Sequence, residues 1–136
     1  MKYRILGRNG GLRVSEISLG AGNFGAGTGH ANLPHVLDAA QARAVFDVYT
    51  EAGGNFIDTA EGYQGGRSEE VVGDLVAADR DNFVIASKYS VGVGRTESFA
   101  KIGNSRKAMM AAVEGTLSGQ VCKFVGGQVQ AVGSPR

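Results

Sequence analysis

The stretch Gly53-Gly54-Asn55-Phe56-Ile57-Asp58-Thr59-Ala60-Glu61-Gly62-Tyr63 runs from a helix stop, through a short buried strand, into a loop that opens on a carboxylate and carries a tyrosine. Gly53-Gly54 suits the left-handed conformation that ends many helices. Asn55-Phe56-Ile57 continues as an apolar strand, and Asp58 stands where that strand should end. In parallel α/β folds the C-terminal strand ends hold the chemistry. Asp58 and Tyr63 are therefore the first candidates for function.

Upstream of this stretch, Asp38 is a good N-cap, and Gln41 completes a capping box. Ala42, Val45, Phe46, Tyr49 and Ala52 follow helical spacing and predict one buried face. Downstream, Ser68 is placed to cap a second helix, with Glu69 and Glu70 in the first turn where the helix dipole favours negative charge. Val71, Leu75 and Val76 give that helix an apolar side. Asn82-Phe83-Val84-Ile85-Ala86-Ser87 is a nearly continuous apolar run, as expected of a parallel strand covered on both faces, and it ends at Lys88. A loop through Gly92-Val93-Gly94 and Gly103 leads to Ser105, the expected cap of a third helix carrying Met109, Val113 and Leu117. At the start of the chain, Tyr3–Gly7 and Leu12–Ser15 flank Arg8-Asn9-Gly10-Gly11. Asn-Gly between short alternating runs predicts a hairpin, because both residues tolerate positive φ. Ile17–Gly20 then reads as the first core strand. Strand and helix alternate three times, which argues a parallel sheet with right-handed crossovers. Periodicity does not separate an open doubly wound sheet from the start of a barrel.

At 136 residues the chain reads as one domain with a real core. A net charge of +1 gives no pull toward nucleic acid or an anionic membrane. The single cysteine, Cys122, excludes a disulfide within the chain. Only Ile5-Leu6-Gly7 separates Arg4 from Arg8, so a signal peptide's apolar core is missing. No apolar run approaches the roughly 20 residues of a spanning helix. These features predict a soluble, cytoplasmic protein without membrane or nucleic-acid partners. Glycine is the anomaly, at 22 residues of 136, about twice the ordinary share of roughly 7%. Gly20-Ala21-Gly22-Asn23-Phe24-Gly25 has the G-x-G-x-x-G spacing of dinucleotide-binding folds. That fingerprint needs a helix opening at once and an acid about 20 residues on. Here a loop from Ala26 to Pro34 follows, and Asp58 is too distant, so the Rossmann reading is rejected. The glycines either let the backbone approach a flat ligand closely or form a flexible strand-end loop. His30 and His35 share that loop with no Cys or carboxylate at ligand spacing, so no metal site is expected.

Asp58 and Lys88 end consecutive strands, and consecutive strands usually lie side by side, about 4.8 Å apart. An ion pair at the top of the sheet is within reach, with Tyr63 far enough along its loop to fold back over it. A phenol is a poor acid at neutral pH, but an adjacent ammonium favours the phenolate and eases proton donation. Together the three residues make a device for delivering a proton to oxygen. They also read as an ordinary structural ion pair beside a loop tyrosine, and spacing alone leaves both readings open.

These residues carry a resemblance. Met1-Lys2-Tyr3-Arg4-Ile5-Leu6-Gly7-Arg8, Leu12-Arg13-Val14-Ser15 and Leu19-Gly20 resemble the opening of aldo-keto reductases. So do Phe56-Ile57-Asp58-Thr59-Ala60 with Gly62-Tyr63, Arg67-Ser68-Glu69, and Ala86-Ser87-Lys88. The resemblance covers residues 1–117 and is closest to the branch holding many bacterial reductases and the potassium-channel β-subunits. It implies a partial (β/α)8 TIM barrel with an N-terminal β-hairpin, about three βα units and a divergent tail. It also implies hydride transfer from NADPH to an aldehyde or ketone. Asp58, Tyr63 and Lys88 match three members of the family's catalytic tetrad, with Tyr63 as the acid. Gly22, Asn23 and Phe24 match the first-loop segment near the nicotinamide and ribose, and Asp58 joins them as a cofactor-binding residue. The implied partner is a small carbonyl substrate.

The match ends abruptly. The family's fourth catalytic residue is a histidine at the end of the fourth strand, and no histidine follows His35. The segments that hold the NADPH phosphates in the family are also absent, and a full barrel needs about 250 residues. Ser118 to Arg136 has no acidic residue and four glycines. Val121–Val125 and Gln128–Val132 read either as short strands or as parts of a disordered tail. The expectation is a truncated reductase whose residues 118–136 come from a changed reading frame or a rearrangement, with weak or no activity. Open sheet edges would then favour self-association. The alternative is a non-catalytic barrel fragment or interaction protein.

Overall fold

The computed structural model describes residues 1–7, 10–26, 35–90 and 103–118. Asn9 of the expected turn, His30, the loop through Gly92 and Gly94, Cys122 and the expected strands of the 119–136 tail lie outside the described residues. Strands β1 (Tyr3–Ile5) and β2 (Arg13–Ser15) pair antiparallel, with Tyr3 opposite Ser15 and Ile5 opposite Arg13. This is the predicted hairpin. Then follow β3 (Leu19–Gly20), helix α1 (Ala39–Glu51), β4 (Phe56–Asp58), α2 (Arg67–Val76), β5 (Val84–Ala86) and α3 (Arg106–Ser118). Strands β3, β4 and β5 form a parallel sheet in chain order. The expected strand–helix alternation is present, although β3 is shorter than Ile17–Gly20. Ser15 Oγ donates to the Ile17 carbonyl at 2.8 Å, which bends the chain there and leaves the Ile17 side chain 61% exposed.

Helix α1 begins on the predicted capping box. The Gln41 N–H donates to Asp38 Oδ1 at 2.8 Å, and the Asp38 N–H donates to Gln41 Oε1 at 3.0 Å. It ends where Gly53 turns left-handed, at φ +84°. The Gly53 N–H donates to the Thr50 carbonyl at 2.8 Å and the Gly54 N–H to the Tyr49 carbonyl at 2.9 Å, the paired bonds of a Schellman stop. Its buried stripe is Ala42, Phe46 and Tyr49. Val45 and Ala52, expected to join it, are exposed.

One further expectation shifts, by two residues. The N-cap of α2 is Gly66, left-handed at φ +97° with no side-chain cap, not Ser68. Ser68 lies inside the helix, fully buried. Ser105 does cap α3, accepting from the Ala108 N–H at 3.1 Å. That helix buries Ala108, Ala112 and Thr116, while Met109 and Val113 are half-buried.

The core joins Ala21 and Phe24 of the first loop, Ala42 and Phe46 of α1, Ile57 and Ile85 of the sheet, and Val71, Val72, Leu75 and Val76 of α2. The Phe46 and Phe83 rings pack at 5.3 Å between centroids. Below the sheet, Tyr49 ties the hairpin to the core. Its hydroxyl lies 2.8 Å from Ser15 Oγ, 2.9 Å from the Ile17 carbonyl, 2.7 Å from the Phe56 carbonyl and 3.0 Å from the Phe56 N–H. Asn55 completes the junction, accepting from the Ser15 N–H at 2.7 Å and donating to the Arg13 carbonyl at 3.1 Å.

Candidate active site

The parallel register sets Gly20 beside Asp58 and Asp58 beside Ala86, so the strands open into their loops at one level. The ladder then continues into the loops: the Ala21 N–H donates to the Asp58 carbonyl at 2.8 Å, the Thr59 N–H to the Ala86 carbonyl at 2.9 Å, and the Glu61 N–H to the Lys88 carbonyl at 3.3 Å. These bonds hold Asp58, Tyr63 and Lys88 around one point. Lys88 Nζ donates to both Asp58 carboxylate oxygens at 2.8 Å, to the Thr59 carbonyl at 2.9 Å and to the Tyr63 hydroxyl at 3.2 Å. It also lies 4.8 Å from the centre of the Tyr63 ring. All three predicted catalytic residues therefore meet.

An ammonium has three hydrogens, so these four acceptors share them, with the two Asp58 oxygens taking the shared position. Lys88 donates to the phenol oxygen, which leaves the Tyr63 hydrogen unspent; among the described residues none accepts it. Burial alone would lower the Lys88 pKa, but the hydrogen bonds to Asp58 and Tyr63 and the Asp58 charge outweigh it and hold the ammonium above its ordinary value. The Asp58 and Lys88 side chains are 38% and 45% exposed. An ion pair so open contributes at most about 1 kcal/mol to folding, and it places a positive charge beside the Tyr63 oxygen.

The first loop borders this point. A side chain on Gly22 would touch the Tyr63 ring, with a Cβ 3.7 Å from Cε2. The Gly22 carbonyl accepts from Gln64 Nε2 at 2.9 Å. Gln64 is buried yet left-handed, at φ +50°, a conformation that a non-glycine residue holds at a cost of about 1–3 kcal/mol. Its position between Gly22 and Tyr63 fixes the first loop against the Tyr63 loop. Asn23 is exposed, with its carbonyl accepting from the Leu37 N–H at 2.7 Å. Phe24 is 2% exposed and packs in the core, so only its backbone is available to a ligand. Gly25, at φ +89°, sits so close to α2 that a Cβ would lie 2.8 Å from that of Arg67.

A model of the aldo/keto reductase family matches residues 16–118. The chain belongs to the aldo/keto reductase family. It is 40% identical over 124 residues to norsolorinic acid reductase B of Dothistroma septosporum, covering 86% of this chain and 31% of that protein. It is 38% identical over 125 residues to the aryl-alcohol dehydrogenase [NADP(+)] of Phanerodontia chrysosporium, covering 85% and 32%. The holo form of aldo-keto reductase AKR11C1 from Bacillus halodurans superposes with a TM-score of 0.67 at 28% identity, covering 89% of this chain and 36% of that one. The chain thus spans about a third of the length of these relatives. Its hairpin and parallel βα units match the N-terminal part of the family's barrel. Among the described residues, no helix is long and apolar enough to cross a membrane. No group of three or more His, Cys, Asp or Glu among them is placed to hold a metal ion.

The structure adds supporting residues that the sequence reading of this aldo/keto reductase chain did not identify. Ser68 Oγ donates to the Ala21 carbonyl at 2.6 Å and lies 3.0 Å from Thr59 Oγ1, joining the loops after β3 and β4. Glu69 stands in the first turn of α2 as expected but is only 5% exposed. It accepts from Ser87 Oγ at 2.6 Å and from Thr116 Oγ1 at 3.2 and 3.3 Å. One signal was available: Glu69 shares helical spacing with Val72 and Val76, both buried.

Burial holds the Glu69 carboxyl above its ordinary value of 4.5, against the hydrogen bonds from Ser87 and Thr116, and the Glu61 charge adds to the rise. A carboxyl whose pKa is higher folded than unfolded binds more protons in the native state. Its contribution to stability therefore falls as pH climbs from 4.5 through the raised native value. Glu69→Gln is expected to flatten that part of the profile, measured by urea unfolding at a series of pH values. An unchanged slope in the variant would contradict the assignment.

Proposed function

We propose that Asp58, Tyr63 and Lys88 form the proton-delivering side of a cytoplasmic, NADPH-dependent reduction of aldehydes or ketones to alcohols. The observation that carries this reading is the Lys88 ammonium, held at 2.8 Å by both Asp58 oxygens while donating to the Tyr63 oxygen. NADPH, when bound, supplies the hydride. As the carbonyl oxygen gains electrons, the Tyr63 hydroxyl gives it a proton. Lys88 stabilises the phenolate that remains, and Asp58 keeps the ammonium in place. Gly22 fits the flat nicotinamide end because it places no side chain beside the Tyr63 ring, and Asn23 and Asp58 offer polar groups at the same edge. A relative whose name specifies NADP(+) supports the choice of cofactor.

A second reading rests on the 136 residues as they stand. No histidine follows His35, so the imidazole that polarises the carbonyl in the family is not among them. Residues 1–117 then act as a non-catalytic barrel part or interaction protein with a divergent tail over 118–136, and β3 and β5, the outer strands of the sheet among the described residues, favour self-association. Fluorescence titration with NADPH, light scattering on the same sample, and NADPH consumption with an aromatic aldehyde separate the two. Binding with aldehyde-dependent turnover supports the reductase. A monodisperse monomer that ignores both NADPH and aldehyde sinks it and leaves self-association unsupported as well.

A further inference from the structure

Glu69 is a buried carboxyl that the proton transfer above does not use. It stands in the first turn of α2, yet both of its bonded neighbours belong to other elements: Ser87 at the end of β5 and Thr116 on α3. The shorter contact, 2.6 Å from Ser87 Oγ, falls on the residue immediately before Lys88. Past Ser87 the backbone is held by the Lys88 carbonyl, which accepts from Glu61 at 3.3 Å. The strand itself ends at Ala86, so Lys88 stands beyond the last ladder pair and its direction depends on what anchors the residues around it. Ser87 supplies a side-chain anchor on the helix side, while the Lys88 side chain reaches the opposite way, to Asp58 and Tyr63, as neighbouring residues of an extended segment do.

We propose that Glu69 is a positioning residue for the acid site: by accepting from Ser87 it fixes the end of β5 and so aims the Lys88 ammonium at Asp58 and Tyr63. This inference rests on reading those three residues as the acid site. Its test uses titration of Lys88 rather than turnover, so it can fail while NADPH binding succeeds, and the reverse.

The measurement is an NMR titration of the Lys88 side chain in the full chain, assigned by its loss in Lys88→Met. In Glu69→Leu the Lys88 pKa is expected to fall toward that of an ordinary lysine, because the ammonium loses its fixed partners. Ser87→Ala, a milder change that keeps the buried carboxyl, is expected to give the same fall, and the double variant no more than either single one. Glu69→Gln retains an acceptor for Ser87 and is expected to keep the wild-type value. Thr116→Val removes the α3 contact and is expected to leave Lys88 unmoved. If Glu69→Gln lowers the Lys88 pKa as much as Glu69→Leu does, Glu69 acts by charge and the tether is wrong. If Ser87→Ala leaves Lys88 unchanged, or Glu69→Leu reduces only stability, the positioning role is overturned.

Discussion

Tyr63→Phe is expected to lower NADPH-dependent carbonyl reduction by about 10²–10⁴-fold, the usual range for losing a positioned general acid. The ring remains against Gly22, so the loop and the fold keep their packing, and only the transferable hydrogen disappears. NADPH affinity is expected to change little, which separates a lost proton donor from a lost binding site. Lys88→Met is expected to fall into the same range, because the ammonium that stabilises the phenolate is gone and Asp58 is left without its cation. Asp58→Asn should cost less, since the amide oxygen still accepts from Lys88. The decisive comparison is single-turnover hydride transfer with saturating NADPH. Equal rates in wild type and Tyr63→Phe would remove Tyr63 from the mechanism.

Gly54→Ala is expected to produce the largest loss of stability among single methyl additions. A Cβ there would lie 2.2 Å from Tyr49 Cζ and 2.4 Å from both Cε atoms. Such overpacking ordinarily costs about 1–3 kcal/mol. Here the ring has little freedom to retreat, because its hydroxyl is bonded to Ser15, Ile17 and Phe56. If the ring moves, those buried groups lose their partner at about 1–3 kcal/mol more. Against a typical domain stability of about 5–15 kcal/mol, the sum is enough to unfold a substantial fraction of the protein. Tyr49→Phe isolates the second part and is expected to cost about 1–3 kcal/mol. Urea midpoints report both; a Gly54→Ala midpoint equal to wild type would mean that the junction below the sheet is loosely packed.

The parts of this protein that the sequence displays are those governed by local spacing. The Asp38–Gln41 box and the Gly53 stop bound α1 because caps act within one turn of backbone. The strand ends at Asp58 and Lys88 are legible because apolar runs stop where the sheet stops. The motifs around Phe56–Tyr63 and Ala86–Lys88 also carried the family. What escaped were residues whose partners lie far along the chain. Ser68 looked like a cap, but its hydroxyl serves Ala21 and Thr59. Tyr49 looked like one more apolar position on α1, yet its hydroxyl joins the hairpin to β4.

The sequence by itself singled out the candidates: a carboxylate and an ammonium where apolar runs end, with a loop tyrosine between them, because residue type and periodicity are written in one dimension, while the roles proposed for them came with the family resemblance. Only the tertiary structure decided their geometry. The parallel register placed Asp58 beside Ala86, the loop after β4 folded Tyr63 onto Lys88, and Glu69 emerged as a buried acid because α3 and the end of β5 close over it. The physical reason is the same in each case: a hydrogen bond or a desolvated charge depends on distances of a few ångströms between residues that chain order leaves tens of positions apart.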